Sequence, residues 1–308
     1  MLNITHILAV LDHQVTDDPA LSRALWLAKS LKAELTLLTN AWDPLGDEGS
    51  HVKAEMRDNI RYKFTERAER WLEEAAEELR ESGQTVQTEV LWHKHLHEAA
   101  LEVLNQQDVD LVVKSVRTAG LIDRLFTHND WNLLRHCPAP VLMVKNAEAW
   151  SNNRFIAAID ATCDDEGHTR LNDNLLAFAE LFADHLNTDL HLFNAYPEIN
   201  LTFAMVPEVS IPDELISDLR EQHEKGAQRW ASKYNVPEDH VHVGEGNTED
   251  LLASLVTETG TDLVMLGSVG RKGISAALIG NTAEAVLNRV PCDVLVIKPQ
   301  DGVSPDVD

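Results

Sequence analysis

Hydrophobic and polar positions along the chain follow two patterns, short apolar runs and longer stretches with an apolar residue every three or four positions. The first pattern predicts buried strands, as at residues 4–11, and the second predicts amphipathic helices, as at residues 19–31. The two kinds of segment then alternate along the chain. This alternation predicts an α/β fold in which helices cover both faces of a parallel sheet.

The pattern begins again after about 150 residues. An apolar run that ends in Asp12 is echoed by one that ends in Asp160, and the last strand of each half ends in a lysine, Lys145 or Lys298. A period of this length indicates two copies of one domain rather than a solenoid. We predict a domain at residues 1–148, a second at 152–300 and an acidic tail at 301–308. Each domain is expected to be Rossmann-like, with a doubly wound, open sheet of five parallel strands.

The composition excludes several classes of partner. The 308 residues carry a formal net charge of −25, which repels nucleic acids and anionic membranes. No apolar stretch reaches the roughly 20 residues of a membrane span. The three cysteines lack metal or disulfide spacing, and the first residues lead directly into a strand, so we expect a cytoplasmic protein without a signal peptide.

A cluster of glycines follows the predicted strand at residues 262–266 and precedes a helical pattern. Gly267 and Gly270 stand three apart, and Gly280, Asn281 and Thr282 come after nine further residues. We expect glycine here to permit positive φ angles and the close approach of a ligand. A glycine turn before a helix also presents free amides and the positive end of the helix dipole. The stretch therefore predicts an anion site, and phosphate is its commonest occupant.

The glycine spacing, in this strand–turn–helix context and on a duplicated pattern, resembles the universal stress protein family over nearly the whole chain, as a tandem pair. In ATP-binding members of the family, an Asp after the first strand contacts the adenine and the glycine loop holds the phosphates. The resemblance implies that the second domain binds ATP or another adenine nucleotide, with Mg²⁺ as a companion ion. The matching positions are Asp160 for the adenine and Gly267, Val269, Gly270, Gly280, Asn281 and Thr282 for the phosphates.

Both domains depart from the family pattern. Asn281 stands where the family has Ser or Thr, but it still donates to a phosphate oxygen and is a favoured N-cap, so that Asn281 to Glu284 is expected to form a variant capping box. In the first domain, the matching stretch from Lys114 to Asn129 keeps none of the glycine positions. We expect this degenerate domain not to bind ATP, and we interpret Lys114 and Arg117 as surface cations.

The resemblance also bears on assembly. Family members often dimerise through their last strands, which implies that residues 141–145 and 294–298 meet within one chain and form an intramolecular pseudo-dimer. Further association into a homodimer stays open. The sequence does not identify a protein partner.

Three histidines, His93, His95 and His97, alternate like residues that share one face of a strand, which is one pattern of a metal site. The segment passes from a strand end into a helix, however, where that alternation fails. We therefore assign no metal and keep these histidines as weak candidates.

Sequence motifs of common enzymes are missing. The chain has no Gly-x-Ser-x-Gly elbow and no Gly-x4-Gly-Lys-Ser/Thr phosphate loop. The interpretation is a stress-response regulatory protein that binds a nucleotide and hydrolyses it slowly at most. Two alternatives stay open. One is a slow ATPase, and the other is a nucleotide-free scaffold or carrier that binds a lipid-like ligand or a protein between its domains, with the apolar loop at residues 199–211.

Overall fold

The computed structural model describes residues 3–13, 17–119, 123–163, 165–198, 213–268 and 279–299. They belong to two compact units, one from Asn3 to Ala149 and the other beginning at Trp150. The apolar loop at 199–211, the acidic tail, Val269 and Gly270 lie outside the described residues.

The N-terminal unit alternates strands and helices. Its elements are β1 (His6–Val10), α1 (Pro19–Leu31), β2 (Glu34–Ala41), α2 (Ala54–Glu81), β3 (Val86–Trp92), α3 (Leu96–Gln106), β4 (Leu111–Ser115), β5 (Arg117–Ala119), β6 (Asp123–Leu125), α4 (His128–His136) and β7 (Val141–Val144). Five strands pair in parallel in the order β3-β2-β1-β4-β7. The order reverses between β1 and β4, and β5 and β6 form a separate antiparallel hairpin.

The C-terminal unit repeats this arrangement. Its elements are β8 (Arg154–Ala158), α5 (Glu166–Leu186), β9 (Asp189–Tyr196), α6 (Asp213–Lys233), β10 (Val241–Glu245), α7 (Thr248–Thr259), β11 (Leu263–Gly267), α8 (Asn281–Arg289) and β12 (Asp293–Ile297). The strands are parallel in the order β10-β9-β8-β11-β12, and this order reverses between β8 and β11.

Local sequence explains where these elements begin and where they are buried. Helix α1 begins at Pro19 because the Asp18 side chain accepts a hydrogen bond from the N–H of Ala20, and it ends at Lys32 in a left-handed conformation. Strand β4 is buried along its whole length, as expected for a parallel strand with helices on both faces.

The predicted fold class, two tandem doubly wound open sheets of five parallel strands, is confirmed. In the part of the chain that the structure describes, no helix has both the length and the apolar character that crossing a membrane requires.

Candidate functional site

The carboxyl edge of the C-terminal sheet brings Asp160 and Gly267 to neighbouring strands. Ala158 in β8 pairs with Leu266 in β11, so that Asp160 and Gly267 follow at the same edge, where the strand order reverses. Helix α8 starts at this edge as well, because it connects the carboxyl end of β11 to the start of β12. In open α/β sheets, ligands bind in the crevice at such a reversal point.

The loop after β8 holds Asp160 from several sides. Its backbone oxygen accepts a hydrogen bond of 2.7 Å from the buried Asn172 amide of α5. Helix α6 packs so closely on the loop that any side chain at Gly226 would collide with the carbonyl oxygen of Ala161. The Asp160 carboxylate itself is exposed, and the bonds that it accepts from described residues are long, 3.3 and 3.4 Å, both from Thr162. The loop is thus fixed while the carboxylate stays accessible to a ligand.

The two described glycines at this edge differ in their surroundings. Neither Gly267 nor Gly280 uses the positive φ angle that glycine permits. Gly267 is required by packing instead, since a Cβ atom would lie 2.5 Å from Cδ2 of Leu171 in α5. A Cβ atom on Gly280 would meet no described atom within 4 Å. Packing therefore explains the first glycine, whereas no described atom crowds the second.

The start of α8 differs from the predicted capping box. Gly280 is the N-cap, with φ −63° and ψ 147°, and Asn281 is the first helical residue. The expectation that Asn281 caps the helix is wrong, because the extended backbone conformation of an N-cap falls one residue earlier. No described side chain caps this helix. Its first turn carries the positive end of the helix dipole, next to the exposed side chains of Asn281 and Thr282.

Helix α4 begins at the corresponding position in the N-terminal unit, but a carboxylate of the protein itself lies at its first turn. The carboxylate of Asp130 accepts bonds from the Thr127 N–H, at 2.6 Å, and from the Thr127 hydroxyl, at 2.8 Å, in a capping box. Lys114 at the end of β4 places its ammonium group 2.9 Å from the other carboxylate oxygen, and both side chains are buried. Its sequence context suggests that Lys114 is a surface cation, but the structure shows that its side chain is buried. It neutralises Asp130 at the helix terminus.

A cavity of about 400 Å³ lies at the carboxyl ends of β9 and β10, where Thr282 of α8 forms part of its wall. Thr248 adds a second hydroxyl group, and Glu198 and Glu249 add carboxylates. These carboxylates accept hydrogen bonds from hydroxyl groups but disfavour a bare anion beside them. Within the described part of this edge, an anionic group is therefore best placed at the start of α8.

No sequence pattern predicts the buried polar network that lies beside Asp160. Asn194 in β9 donates to the backbone oxygen of Ile159 at 3.1 Å, and its side-chain oxygen is 2.8 Å from Nδ1 of His223 in α6. The His223 ring stacks on Tyr196, with 5.1 Å between centroids. Burial lowers the pKa of His223, and the negative charge of Asp160 opposes that change. A polar Asn within the apolar run of β9 is the one sequence signal that points to this network.

The three histidines in the N-terminal unit do not form one group, because the rings of His95 and His97 stack with 5.5 Å between centroids whereas His93 pairs with Glu102. Strand β3 ends at Trp92 and α3 begins at Leu96, so the strand alternation fails as expected. His93 contacts Glu102 through a 2.6 Å bond, whereas His97 bonds to Asn129 at 2.8 Å. Among the described residues, no three His, Cys, Asp or Glu side chains are grouped so that they could hold a metal ion.

Two consecutive doubly wound units of five parallel strands define a tandem α/β protein. The family model of the universal stress protein family matches residues 3–145 and again residues 159–298. The chain therefore belongs to the universal stress protein family, and the predicted tandem membership is confirmed.

Relatives and solved structures agree with this assignment. The chain is 30% identical to Universal stress protein E of Escherichia coli strain K12 and of Salmonella typhi, over 97% of this chain and 96% of each relative. Among solved structures, it is similar to the functionally unknown protein PA1789 from Pseudomonas aeruginosa PAO1, with a TM-score of 0.73, 27% identity and coverage of 97% and 94% of the two chains. A universal stress protein from Archaeoglobus fulgidus matches with a TM-score of 0.67 and 16% identity, over 96% of this chain and 98% of its own, which supports the fold alone.

Proposed function

We propose that this universal stress protein is a stress-response regulatory protein whose C-terminal unit binds an adenine nucleotide, with ATP as the first candidate. The phosphates would lie at the start of α8, accompanied by Mg²⁺, and the adenine would contact Asp160. The function is binding, with ATP hydrolysis slow at most. The N-terminal unit serves as a degenerate partner domain.

The N-terminus of α8 carries this proposal. It bears the positive end of the helix dipole, no described side chain caps it, no described atom would meet a Cβ atom on Gly280, and Asp160 lies at the same sheet edge. The hydroxyl and carboxylate groups of the neighbouring cavity suit the hydroxyls of a ribose. In the N-terminal unit, by contrast, the Asp130 carboxylate already occupies the equivalent helix terminus.

A matched pair of variants tests the role of the helix terminus. Gly280→Asp and Gly280→Asn have side chains of nearly the same size, and both residues are good N-caps, so both variants should fold. Only Gly280→Asp adds a negative charge at the phosphate position. We expect titration calorimetry with ATP and Mg²⁺ to show that Gly280→Asp binds about 100-fold more weakly than Gly280→Asn. Equal affinities of the two variants, or no binding by the wild type, would contradict the proposal.

A second variant tests the adenine end. The Asp160 carboxylate accepts hydrogen bonds only, which suits the amino group of adenine, whereas Asn also donates, which suits the carbonyl oxygen of guanine. We expect Asp160→Asn to shift the preference from ATP towards GTP by about tenfold in competition titrations. An unchanged ratio of the two affinities would remove Asp160 from the site. Phosphate release is measured in parallel, and a rate that rises with ATP occupancy and is lost in Gly280→Asp would support the slow ATPase instead.

A further inference from the structure

The N-terminal unit has a cavity of its own, of about 530 Å³, at the carboxyl edge of its sheet. This size lies in the range of small-molecule sites in proteins. The described lining residues come from the ends of β1 and β2, from α2, from the segment after β3 and from α4. They are Asp12, His13, Asn40, Ala41, Trp42, Phe64, Arg67, Ala68, Trp71, Lys94, Leu96 and Asn129.

Aromatic side chains form much of the wall. Trp42 follows β2, and α2 contributes Phe64, Ala68 and Trp71, whose spacings of four and three residues place them on one face of the helix. Phe64 is 41% exposed although it belongs to the apolar face. This part of α2 therefore does not bury its aromatic face in the core and presents it to the cavity.

Two cations lie among these aromatic groups. Arg67 makes no hydrogen bond or ion pair with any described residue. Lys94 also lacks an ion pair in the described part of the chain, and its ammonium group lies 5.4 Å from the centre of the Trp42 ring. Asp12 is the one carboxylate on the described wall. Two cations against one described carboxylate give this wall a local positive charge, which attracts an anion.

The cavity reaches the start of α4 at Asn129, where Asp130 decides which anion can bind. A nucleotide in a doubly wound unit places its phosphates at the helix terminus that follows the glycine loop, and in this unit Asp130 and Lys114 occupy that terminus. The anionic group of a ligand is therefore expected at Arg67 and Lys94, the two cations on the described wall. Such a ligand needs a flat apolar body and one compact charge.

The geometry points to a binding site for a small aromatic carboxylate in the N-terminal unit. Its ring would pack against Trp42, Phe64 and Trp71, and its carboxylate would bind the guanidinium group of Arg67 and the ammonium group of Lys94. Arg pairs with a carboxylate through two parallel hydrogen bonds, and its planar guanidinium group also stacks on aromatic faces. The site is distinct from the nucleotide site that we propose in the C-terminal unit.

The test uses the full chain and two probes with the same ring system. Titration calorimetry compares naphthalene-2-carboxylate with the neutral naphthalene-2-carboxamide. We expect the acid to bind at about 0.1 mM or below and the amide to bind about tenfold more weakly, because a charged hydrogen bond contributes more than a neutral one. No binding of the acid at about 1 mM, or equal affinity for acid and amide, would overturn the proposal.

Charge variants on α2 and after β3 locate the site. Arg67→Gln and Lys94→Gln should each weaken binding of the acid by about tenfold. Both side chains are exposed and unpaired among the described residues, so thermal unfolding should not change. Arg70→Gln is the matched control, since Arg70 lies three residues further along α2 and pairs with Glu66 on the surface, outside the cavity lining. Equal effects of Arg70→Gln and Arg67→Gln would contradict the assignment.

Competition separates this site from a nucleotide site. ATP with Mg²⁺ should not displace naphthalene-2-carboxylate, and Gly280→Asp should bind the acid as the wild type does. Displacement by ATP would overturn the proposal and make the cavity a second nucleotide site. Because Gly280→Asp affects only the C-terminal unit, failure of ATP binding there leaves the test of the aromatic site intact.

Discussion

Three histidine rings stack on the outer strands of the C-terminal sheet, and we expect them to lower the stability of this unit as the pH falls. The ring of His191 lies 4.0 Å from that of His240 and 5.2 Å from that of His242, between centroids. Nδ1 of His191 and Nε2 of His242 share a hydrogen bond of 3.0 Å. The other ring nitrogen of His191 is buried and has no partner among the described residues. The folded unit therefore favours the neutral ring.

The size of the effect follows from the pKa of His191. Burial lowers this pKa from 6.5 to about 4, and the two neighbouring histidines and Arg154 add to the effect. Between these two values the unfolded chain binds a proton that the folded unit rejects, so the unfolded state gains stability as the pH falls. The whole difference corresponds to about 3 kcal/mol, of which about 2 kcal/mol is lost between about pH 7.5 and about pH 5.

The assay is urea unfolding of the full chain at these two pH values, with free energies from linear extrapolation. His191→Leu removes the buried titrating ring, and His185→Leu is the control, because it removes an exposed histidine from the same unit. Between these two pH values, the free energy of unfolding of the wild type and of His185→Leu should each fall by about 2 kcal/mol more than that of His191→Leu. An equal loss in all three proteins would refute the argument.

Further predictions concern packing, the buried ion pair and net charge. Gly267→Ala should lower the free energy of unfolding by about 1–3 kcal/mol, because its Cβ atom meets Leu171. Gly280→Ser should lower the free energy of unfolding by less than about 0.5 kcal/mol. Equal urea midpoints of the two variants would contradict this prediction. Lys114→Met should cost about 3–5 kcal/mol because Asp130 is left charged and buried, and a thermal shift equivalent to less than about 1 kcal/mol would contradict it. Raising NaCl from about 0.05 M to about 0.5 M should raise the melting temperature, because screening reduces the repulsion within a chain of net charge −25.

The fold could be predicted because its determinants are periodic. Apolar runs and helical spacing locate the strands and helices, and the repeat supplies a second copy that checks each assignment. The adjacency of Asp160 and Gly267 also follows from sequence, since parallel topology brings the carboxyl ends of β8 and β11 to one edge. The hairpin of β5 and β6 was not predicted, because its strands have only three residues each and leave no measurable alternation.

The candidate site was predicted less completely, because long-range pairing decides what its residues do. From sequence alone, a lysine such as Lys114 is expected at the surface. The structure shows it paired in the interior with Asp130, which comes from a different element. The role of Gly267 depends on where Leu171 of α5 crosses β11. His223 becomes part of the network only through the rotation of α6 about its own axis, and sequence spacing does not fix that rotation relative to β9.

The two repeats satisfy the same helix terminus in different ways, and this difference has a thermodynamic consequence. In the N-terminal unit, Asp130 is attached to the helix that it caps and Lys114 neutralises it, so the terminus is satisfied at every ligand concentration. In the C-terminal unit, the N-cap is Gly280 and the residue at the position of Asp130 is Ala283, which offers no charge. If a nucleotide takes that place, as we propose, its binding free energy adds directly to the stability of this unit, by about 2.7 kcal/mol at a hundredfold excess over Kd. The N-terminal unit then keeps a constant stability while that of the C-terminal unit follows the nucleotide concentration, which is the property that a regulatory binding protein requires.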